Sequence, residues 1–474
     1  MDKTQVMREF EDICAVPRYS FHNDRIIDYC LRWAEDNGYD PVYDREHGNI
    51  IIRKDASPGM EDKPGIILQG HLDMVAVAEK GIVHDWDNEG IDFYIEDGWY
   101  KARGTTLGAD DAVAAAIAFA LLKDNDLKNP PLEVLLTTDE EVGMLSVKDA
   151  DLTCLNGKYL LNIDSGPEGR FTIGCAGGTL LKAVVPNVRE AVPPEMKIYE
   201  ITAGGLKSGH SGVEITKERG NAVMILGDVI YSISRHFPVR ISSITAEGKD
   251  NAISDLASVV VAVPEGAAFT EKVKLAEAAQ KQMFRQTDPD LYIRAAESSA
   301  ADVLTEEKSR ALAFLLHNLP FGVQNFEQDL SNVETSVNEG LIETDEDGIG
   351  IYVSIRSSVK ERSEQVHGRV RDLCDICGAV CEDLAKSYPA WLPDRNSPFV
   401  KRICEIFADM YGREPAAGTT HGGLECGYIM ANSNIEAAIA IGPDSEGEHT
   451  TKEKLSVDSL NRTYDLVKKV LESL

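Results

Sequence analysis

The sequence predicts an α/β fold with a mostly parallel central sheet, into which a second, α+β domain is inserted. Short apolar runs alternate with helical patterns from about residue 45 to 165, and the same alternation returns near the C-terminus. Between about 182 and 385 the pattern changes to alternating apolar and polar residues. Alternation of strands with helices favours parallel pairing, whereas residue-by-residue alternation is typical of antiparallel strands with one buried face.

The first segment, residues 1–181, contains four predicted strands and one long predicted helix. The helix, 110–124, is apolar on nearly all faces and is therefore expected to be buried. The strands are the apolar runs within "NIIIRKD", "GIILQGHLD", "LEVLLTTDE" and "KYLLNIDSG".

The remaining sequence divides at about residue 385. Within 182–385, "MKIYEITAGG", "VRISSITAEG", "ASVVVAVPEG" and "IGIYVSIRSS" predict strands, and "ERGNAVMILGDVIYSI" and "SEQVHGRVRDLCDICGAV" predict covering helices. Residues 386–474 return to the first pattern, with the helix "SPFVKRICEIFADMYG", the strand "IEAAIAIG" and a C-terminal helix from "TKEKL" onwards. We therefore expect 1–181 and 386–474 to form one domain and 182–385 the inserted one.

The composition excludes several classes of function. The net charge of −31 over 474 residues argues against binding to nucleic acids or anionic membranes, which require a cationic surface. Nine cysteines without a disulfide-framework spacing indicate a reducing compartment. The N-terminus lacks an apolar signal core, so we expect a cytoplasmic protein.

The segment "CDICGAVC" places three cysteines close together, at Cys374, Cys377 and Cys381. A metal or redox motif is one interpretation, but no second CxxC accompanies it. Their spacing continues the inward helical face formed by Val366 and Val370, and buried thiols behave as small apolar groups. We therefore favour a structural interpretation.

Chemically versatile side chains follow the predicted strands at four places. "GIILQ" leads into His71 and Asp73, and "LEVLL" leads into the acidic "TTDEEVGM", with Asp139, Glu140 and Glu141. Two further strand ends are followed by Asp164 and, across a loop, by His449, while Asp110 enters the buried helix from "GTTLGADD". The carboxyl ends of parallel strands meet at one edge of a sheet, where sites usually form.

Two histidines and several carboxylates at one sheet edge form a ligand set suited to zinc or a similar divalent ion. Asp110 could bridge two ions, and Asp73 could orient the His71 ring because residues two apart on a strand face the same way. The alternative is that each carboxylate is a solvated surface group and each histidine is structural. The coincidence at four strand ends favours the metal site.

These motifs, together with "ARGTTLGADD", "GHSG", "NAIS" and "HGGLECG", resemble those of the aminoacyl-histidine dipeptidases, within the dinuclear zinc peptidases that include carnosinases and aminoacylases. The resemblance covers nearly the whole chain. It implies a zinc-exopeptidase-like catalytic domain with an inserted lid, and two divalent ions, zinc foremost, with manganese and cobalt as alternatives. It implies that His71, Asp110 and Asp164 hold one ion, and that Asp110, Glu141 and His449 hold the other.

The resemblance also implies roles for the remaining residues. Glu140 would be the general base, Asp73 the carboxylate behind the first histidine, and Asp139 local support. In the lid, His210 would stabilise the oxyanion, with a turn-capping structural histidine as the alternative. The substrate would contact Asn251, Arg356 and His421, although a purely structural His421 is equally compatible. Asp250 and Ser254 depart from the family pattern, where a basic residue and a proline are expected, so specificity at the carboxylate end is open.

The sequence thus predicts a cytoplasmic, metal-dependent dipeptidase that cleaves Xaa-His and related dipeptides with a zinc-activated water and a Glu general base. Two alternatives remain. One is another amide hydrolase of the same superfamily, such as an N-acyl amino acid deacylase or a tripeptidase. The other is a non-catalytic metal-binding protein, which the intact Glu140 disfavours. Small peptides are the expected partners. The oligomeric state is not fixed by the sequence, and a homodimer is compatible with it.

Overall fold

The structure is a computed structural model that describes residues 3–246, 248–265, 267–327 and 332–473. The chain folds into two compact units. Unit 1 comprises Met1–Cys175, Trp391–Thr419 and Leu424–Leu474, and unit 2 comprises Ala176–Ala390 and Thr420–Gly423. The assignment of unit 1 as a catalytic domain and of unit 2 as a lid stays a prediction.

The helices of the described residues are distributed over both units. In chain order they are α1 (Gln5–Cys14), α2 (Asp24–Asp36), α3 (Ala109–Lys123), α4 (Leu145–Lys148), α5 (Ala222–Ser234), α6 (Ala267–Met283), α7 (Glu306–Asn318), α8 (Lys360–Cys377), α9 (Pro398–Tyr411), α10 (Cys426–Asn432) and α11 (Val457–Ser473). A short 3₁₀ turn spans Ile215–Lys217.

The strands form two large sheets and two small ones. In chain order they are β1 (Val42–Asp44), β2 (Asn49–Lys54), β3 (Ile66–His71), β4 (Phe93–Glu96), β5 (Trp99–Ala102), β6 (Leu132–Thr137), β7 (Tyr159–Asn162), β8 (Arg170–Cys175), β9 (Gly177–Pro186), β10 (Arg189–Ala191), β11 (Met196–Gly204), β12 (Arg240–Ala246), β13 (Ala257–Pro264), β14 (Tyr292–Glu297), β15 (Asp302–Leu304), β16 (Gly322–Phe326), β17 (Val333–Thr344), β18 (Gly348–Ser357), β19 (Val380–Tyr388), β20 (Ala416–Thr420), β21 (Ala437–Ala440), β22 (Ser445–Glu446) and β23 (Lys454–Ser456).

The large sheet of unit 1 has eight strands in the order β1-β2-β6-β3-β7-β21-β8-β20. The central strands β6, β3, β7 and β21 run parallel, whereas β1, β2 and β8 pair antiparallel with their neighbours. The α/β class predicted from the sequence is confirmed. The parallel part is confined to the centre, where strands with helices on both faces are buried and therefore read as continuous apolar runs.

Helix α3 packs in the core of unit 1 and is apolar on nearly every face, as predicted. Its alanines allow a close approach to strand β3. A Cβ added to Gly70 would lie 2.1 Å from the Cβ of Ala114, so only glycine fits at this crossing. The stacked rings of Trp33 and Phe119, with centroids 3.8 Å apart, close the other side of the helix.

Unit 2 is built on an antiparallel sheet in the order β14-β11-β13-β12-β17-β18-β9-β19, with β16 paired to β17. Its core includes residues of α5, α7 and α8. Cys374 and Cys377 lie in this core beside Val366 and Val370, as the structural interpretation predicted. All nine cysteines lie in the described part of the chain, and none forms a disulfide.

The C-terminal helix differs from the prediction in where it begins, and the described helices differ from membrane spans in length and composition. The C-terminal helix begins later than predicted, at Val457, because Lys454–Ser456 pairs with β5 as strand β23. Within the described residues, none of the helices combines the length and the apolar character that crossing a lipid bilayer requires.

Glu339 is an unusual residue of unit 2, because its carboxyl group is buried in strand β17 and forms no ion pair with any residue that the structure describes. The residue is 0% exposed, and neither carboxyl oxygen has a hydrogen-bond partner among the described residues. Burial raises the pKa of this carboxyl group well above its ordinary value. The folded protein therefore holds a proton here at a pH where the unfolded chain has released it.

Glu339→Gln should make unit 2 less sensitive to alkaline pH. A raised pKa means that the stability contributed by the protonated group is complete below the unfolded pKa and is lost as the pH rises towards the folded pKa. The wild type should therefore lose up to about 1.4 kcal/mol of unfolding free energy per pH unit above about 4.5, relative to the variant. Hydrogen exchange of peptides from 333–357 at pH 6 and 9 measures this, with the exposed Glu346→Gln as control. Parallel pH dependence in the wild type and in Glu339→Gln would contradict it.

Candidate metal centre

The predicted ligands of unit 1 converge around Asp110. One carboxylate oxygen of Asp110, Oδ1, lies 2.9 Å from His71 Nε2, and the other, Oδ2, lies 3.2 Å from His449 Nε2. Asp164 Oδ2 lies 4.0 Å from His71 Nε2, and Glu141 Oε2 lies 2.9 Å from His449 Nε2. Each histidine is thus flanked by one oxygen of Asp110 and by one further carboxylate.

The sheet explains how these residues meet. His71 ends β3, Asp164 follows β7, and Glu141 follows β6, so three neighbouring strands deliver their side chains to one edge. Asp110 stands at the start of α3, and His449 lies at the tip of a turn between β22 and β23 with a positive φ of 62°. The contacts that unite residues so distant in sequence are those predicted from the strand ends.

Asp111 is a further carboxylate of this centre, which the sequence analysis did not identify. It is buried, and its Oδ2 accepts the backbone N–H of His71 at 3.2 Å. Ligand atoms of His71, Asp111 and Asp164 lie within 4.8 Å of one another, as do those of His71, Asp110 and Glu141. The second acidic residue of "GADD" was the available signal.

The carboxylates of the centre strongly affect one another. Burial and the neighbouring charge of Asp110 raise the pKa of Asp164 well above its ordinary value. Burial also raises the pKa of Asp111 and of Glu140. Hydrogen bonds to Asp110 and Glu141 raise the pKa of His449 to about 11, so the histidines supply the positive charge that the carboxylates require.

The donor set fits divalent cations. Imidazole nitrogen and carboxylate oxygen are the ligands of non-cysteine zinc sites. Glu141 Oε1 is buried and has no hydrogen-bond partner among the described residues, so one lone-pair-bearing oxygen lacks a protein donor. A cation would satisfy this oxygen and would also relieve the repulsion between the carboxylates.

Asp73 lies beside the His71 ring, and its carboxylate also contacts the neighbouring backbone. His71 Nδ1 lies 3.1 Å from the carbonyl oxygen of Asp73 and 3.5 Å from its carboxylate Oδ1. The carboxylate accepts the Ser20 hydroxyl at 2.8 Å and the backbone N–H groups of Glu140 and Glu141 at 3.0 and 3.4 Å. Asp73 therefore fixes the backbone of the two glutamates as well as facing the imidazole.

Asp139, the first acid of "DEE", points away from the candidate ligands. Its Oδ1 accepts the backbone N–H of Phe21 at 2.6 Å and the side-chain N–H of Asn23 at 2.7 Å. Its φ of 55° turns the chain sharply before Glu140. This is the local support that was expected of it.

A buried polar network lies beneath the centre and was not predicted. Glu425 Oε2 accepts hydrogen bonds from Gln69 at 2.6 Å and from Thr137 at 2.7 Å. Asn162 donates to Gln69 at 2.7 Å, so the network links strands β6, β3 and β7 just before they end. Burial raises the pKa of Glu425 to about 7. The carboxylate within the glycine-rich "HGGLECG" was the only signal in the sequence.

The predicted substrate-contacting residues all lie in unit 2, where the structure brings them together. His210 Nδ1 accepts the backbone N–H groups of Gly212 and Val213 at 3.2 and 3.3 Å, so a neutral His210 carries its proton on Nε2. Asn251 adjoins it, because His210 and Ala252 form a β-bridge and Ser211 donates to the Asn251 carbonyl at 2.8 Å. These two hydrogen bonds are those of a histidine that caps a turn. In a neutral ring they leave the proton on Nε2.

Arg356 and His421 complete this group. Arg356 Nη1 donates to the Tyr388 hydroxyl at 2.5 Å, while its Nε is buried with no partner among the described residues. His421 Nε2 lies 2.7 Å from the Ser336 hydroxyl oxygen. Burial and the charge of Arg356 lower the pKa of His421 to about 3, so this histidine is neutral at physiological pH.

Comparison with known proteins identifies the family. Residues 67–473 match the model of peptidase family M20/M25/M40. A cytosol non-specific dipeptidase of Escherichia coli K12 is 32% identical over 469 residues, covering 98% of this chain and 96% of the relative. The chain belongs to peptidase family M20/M25/M40. The resemblance drawn from the motifs is confirmed.

Solved structures agree with this membership. An aminoacylhistidine dipeptidase from Vibrio alginolyticus superposes with a TM-score of 0.86 at 32% identity, covering 99% of this chain and 96% of that one. Human carnosine dipeptidase 1 shares the fold at 13% identity, with a TM-score of 0.52 and coverage of 99% and 96%. The protein is therefore a hydrolase of the metallopeptidase class with a peptidase M20 fold.

Glu140→Gln and Glu141→Gln should have different effects on this peptidase. Glutamine at 140 cannot accept a proton, so turnover should fall by about two to four orders of magnitude while the bound metal is retained. Glutamine at 141 removes a charged ligand oxygen facing His449, so metal affinity should fall at least about tenfold. Elemental analysis of both purified variants, alongside their kcat, is the measurement. Equal loss of metal from the two variants would refute the division between base and ligand.

Proposed function

We propose that the protein is a metal-dependent dipeptidase that hydrolyses Xaa-His and related dipeptides in the cytoplasm. The observation that carries this proposal is the position of Asp110 between two histidines, each with a second carboxylate, beside Glu140. Two proteins that share about a third of their residues with it over nearly the full length are a cytosol dipeptidase and an aminoacylhistidine dipeptidase.

We propose two divalent ions, zinc foremost, with manganese or cobalt as alternatives. His71, Asp110 and Asp164 would hold one ion, and Asp110, Glu141 and His449 the other. Five ligating residues exceed what one tetrahedral ion takes, and the two oxygens of Asp110 already face different histidines. When bound, such ions supply Lewis acidity at a carbonyl oxygen and lower the pKa of water.

Glu140 is the proposed general base. It takes a proton from the water that attacks the scissile carbonyl carbon, and it delivers that proton to the leaving amine as the C–N bond breaks. The bond from its backbone N–H to Asp73 holds it in place throughout.

The residues grouped in unit 2 are proposed to recognise the substrate. His210, with its proton on Nε2, would donate a hydrogen bond to the developing oxyanion. Arg356 would bind the C-terminal carboxylate of the dipeptide, since its buried Nε lacks a partner among the described residues. Asn251 and the neutral His421 would contribute polar contacts beside it.

A substrate panel separates this function from its alternatives. Metal-loaded protein should release histidine from Ala-His at least about tenfold faster, by kcat/KM, than it cleaves Ala-Ala-Ala or N-acetylalanine, because a pocket built for two residues rejects other lengths. Free amino acids and acetate are quantified by chromatography, and Glu140→Gln controls for contaminating peptidases. Faster release of acetate would indicate a deacylase, and faster tripeptide cleavage a tripeptidase. Absence of any metal-dependent turnover would indicate a binding protein.

Arg356→Lys should reduce the preference for a free C-terminal carboxylate. An arginine binds a carboxylate through two parallel hydrogen bonds, which the lysine ammonium cannot reproduce. The ratio of kcat/KM for Ala-His to that for Ala-His amide should be large in the wild type and should fall at least about tenfold in the variant. A ratio that Arg356→Lys leaves unchanged would remove Arg356 from this role.

A further inference from the structure

The loop that delivers Asp110, residues 105–110, has little regular structure before α3 begins at Ala109. We call it the Asp110 loop. Thr105 forms a single bridge with Ala78, and the Thr106 hydroxyl donates to the Val75 carbonyl at 2.7 Å. Because Asp110 faces both histidines, a small displacement of this loop would disturb both halves of the metal centre. These contacts are made by residues 105 and 106, at the start of the loop, and not by the residues next to Asp110.

Glu453 accepts hydrogen bonds from four consecutive backbone N–H groups of the Asp110 loop. Its Oε2 accepts from Leu107 and Gly108 at 2.8 Å each, and its Oε1 accepts from Ala109 and Asp110 at 2.8 and 3.3 Å. The residue is only 3% exposed. Successive N–H groups that converge in this way form a concave site for an anion, and here the chain supplies the anion itself.

Arg18 holds the opposite side of the same loop. Its Nη2 donates to the Gly108 carbonyl, and its Nη1 donates to the carbonyls of Leu72 and Asp73 at 2.9 and 3.3 Å. The side chain thus joins the Asp110 loop to the strand end that carries His71. Gly108 has a φ of 70°, and an added Cβ would lie 2.6 Å from Arg18 Nη2, so glycine is required between the two charges.

Glu453 also lies on the turn that carries His449. Strands β22 and β23 pair Ser445 with Leu455, and the Glu453 backbone N–H donates to Thr450 at 3.2 Å. The carboxylate therefore connects the His449 turn to the Asp110 loop, as Arg18 connects the His71 strand to it. Arg18 and Glu453 thus each join the Asp110 loop to an element that carries one of the two histidines.

We propose that Glu453 is a positioning residue of the metal centre, which sets Asp110 against His449 through the four N–H groups of the Asp110 loop. The inference rests on the proposed metal site and deepens it. It predicts that loss of the Glu453 carboxylate weakens metal binding specifically. A merely structural carboxylate would instead lower stability and leave the metal affinity of the folded protein unchanged.

Glu133 provides a matched control. It is also buried in unit 1, and it also accepts two consecutive backbone N–H groups, from Asn156 and Gly157 at 2.8 Å each. It lies in β6 four residues before Thr137 ends the strand, roughly 13 Å along it. Glu133→Gln therefore disturbs backbone hydrogen bonds of the same kind, together with an ion pair to Arg53, at a distance from the centre.

The test compares Co²⁺ binding with stability in metal-free protein. In Glu453→Gln, the side-chain NH₂ would face two backbone N–H groups, so about half of the contacts are lost. Its apparent Kd for Co²⁺, from calorimetry and visible absorption, should rise about 10- to 100-fold over wild type. Its unfolding temperature without metal should fall no further than that of Glu133→Gln, whose Kd should stay within about threefold of wild type.

The outcomes separate this inference from the function on which it rests. Wild-type protein that binds no divalent ion would overturn the metal centre itself, and the positioning role with it. Folded Glu453→Gln with a Kd within about threefold of wild type would overturn the positioning role alone. If Glu453→Gln does not fold, Glu453→Asp decides, because it keeps the charge but shortens the reach. A Kd raised at least about fivefold supports the role, and a smaller change rejects it.

Discussion

The close spacing of carboxylates around Asp110 is the constraint on which the candidate metal centre depends. Asp110, Asp111, Glu141 and Asp164 have oxygens within a few ångströms of one or both of two histidines, at the edge of a sheet. Like charges at such distances disfavour each other's ionisation, and burial adds to the cost. The arrangement is stable only with positive charge among the carboxylates, which is the property that a divalent-metal peptidase needs.

Hydrogen bonds from the surrounding residues hold the strands and loops that bear the candidate ligands. The network of Glu425, Gln69 and Asn162 joins the three strands that bear the ligands. Asp73 fixes the backbone on which Glu140 and Glu141 stand, and Arg18 with Glu453 fixes the loop that bears Asp110. Ligands held this firmly would lose little freedom on binding metal, so less of the binding free energy is spent on ordering them.

The polar residues grouped in unit 2 combine one positive charge with a neutral histidine, in contrast to the closely spaced carboxylates of unit 1. His421 is neutral at physiological pH, because burial and the neighbouring charge of Arg356 lower the pKa of the histidine to about 3. His210 is oriented by two backbone N–H groups, so its neutral form carries the proton on Nε2. One cation beside a neutral imidazole is suited to a ligand with a single carboxylate, in agreement with the proposed dipeptide substrates.

The sequence by itself determined the fold class and most of the candidate ligands, because both leave local patterns. Continuous apolar runs identified the central strands, and since parallel strands end at a common edge, the strand ends alone were enough to group His71, Glu141 and Asp164. The antiparallel margins of that sheet and the late start of α11 were decided by pairing between distant segments. Arg18 and Glu453 could not be found from the sequence. They act on backbone groups 90 and about 345 residues away, and a backbone N–H or carbonyl is the same in every residue. Only the tertiary structure decides which buried side chain meets which stretch of backbone, and here that choice holds Asp110 between its two histidines.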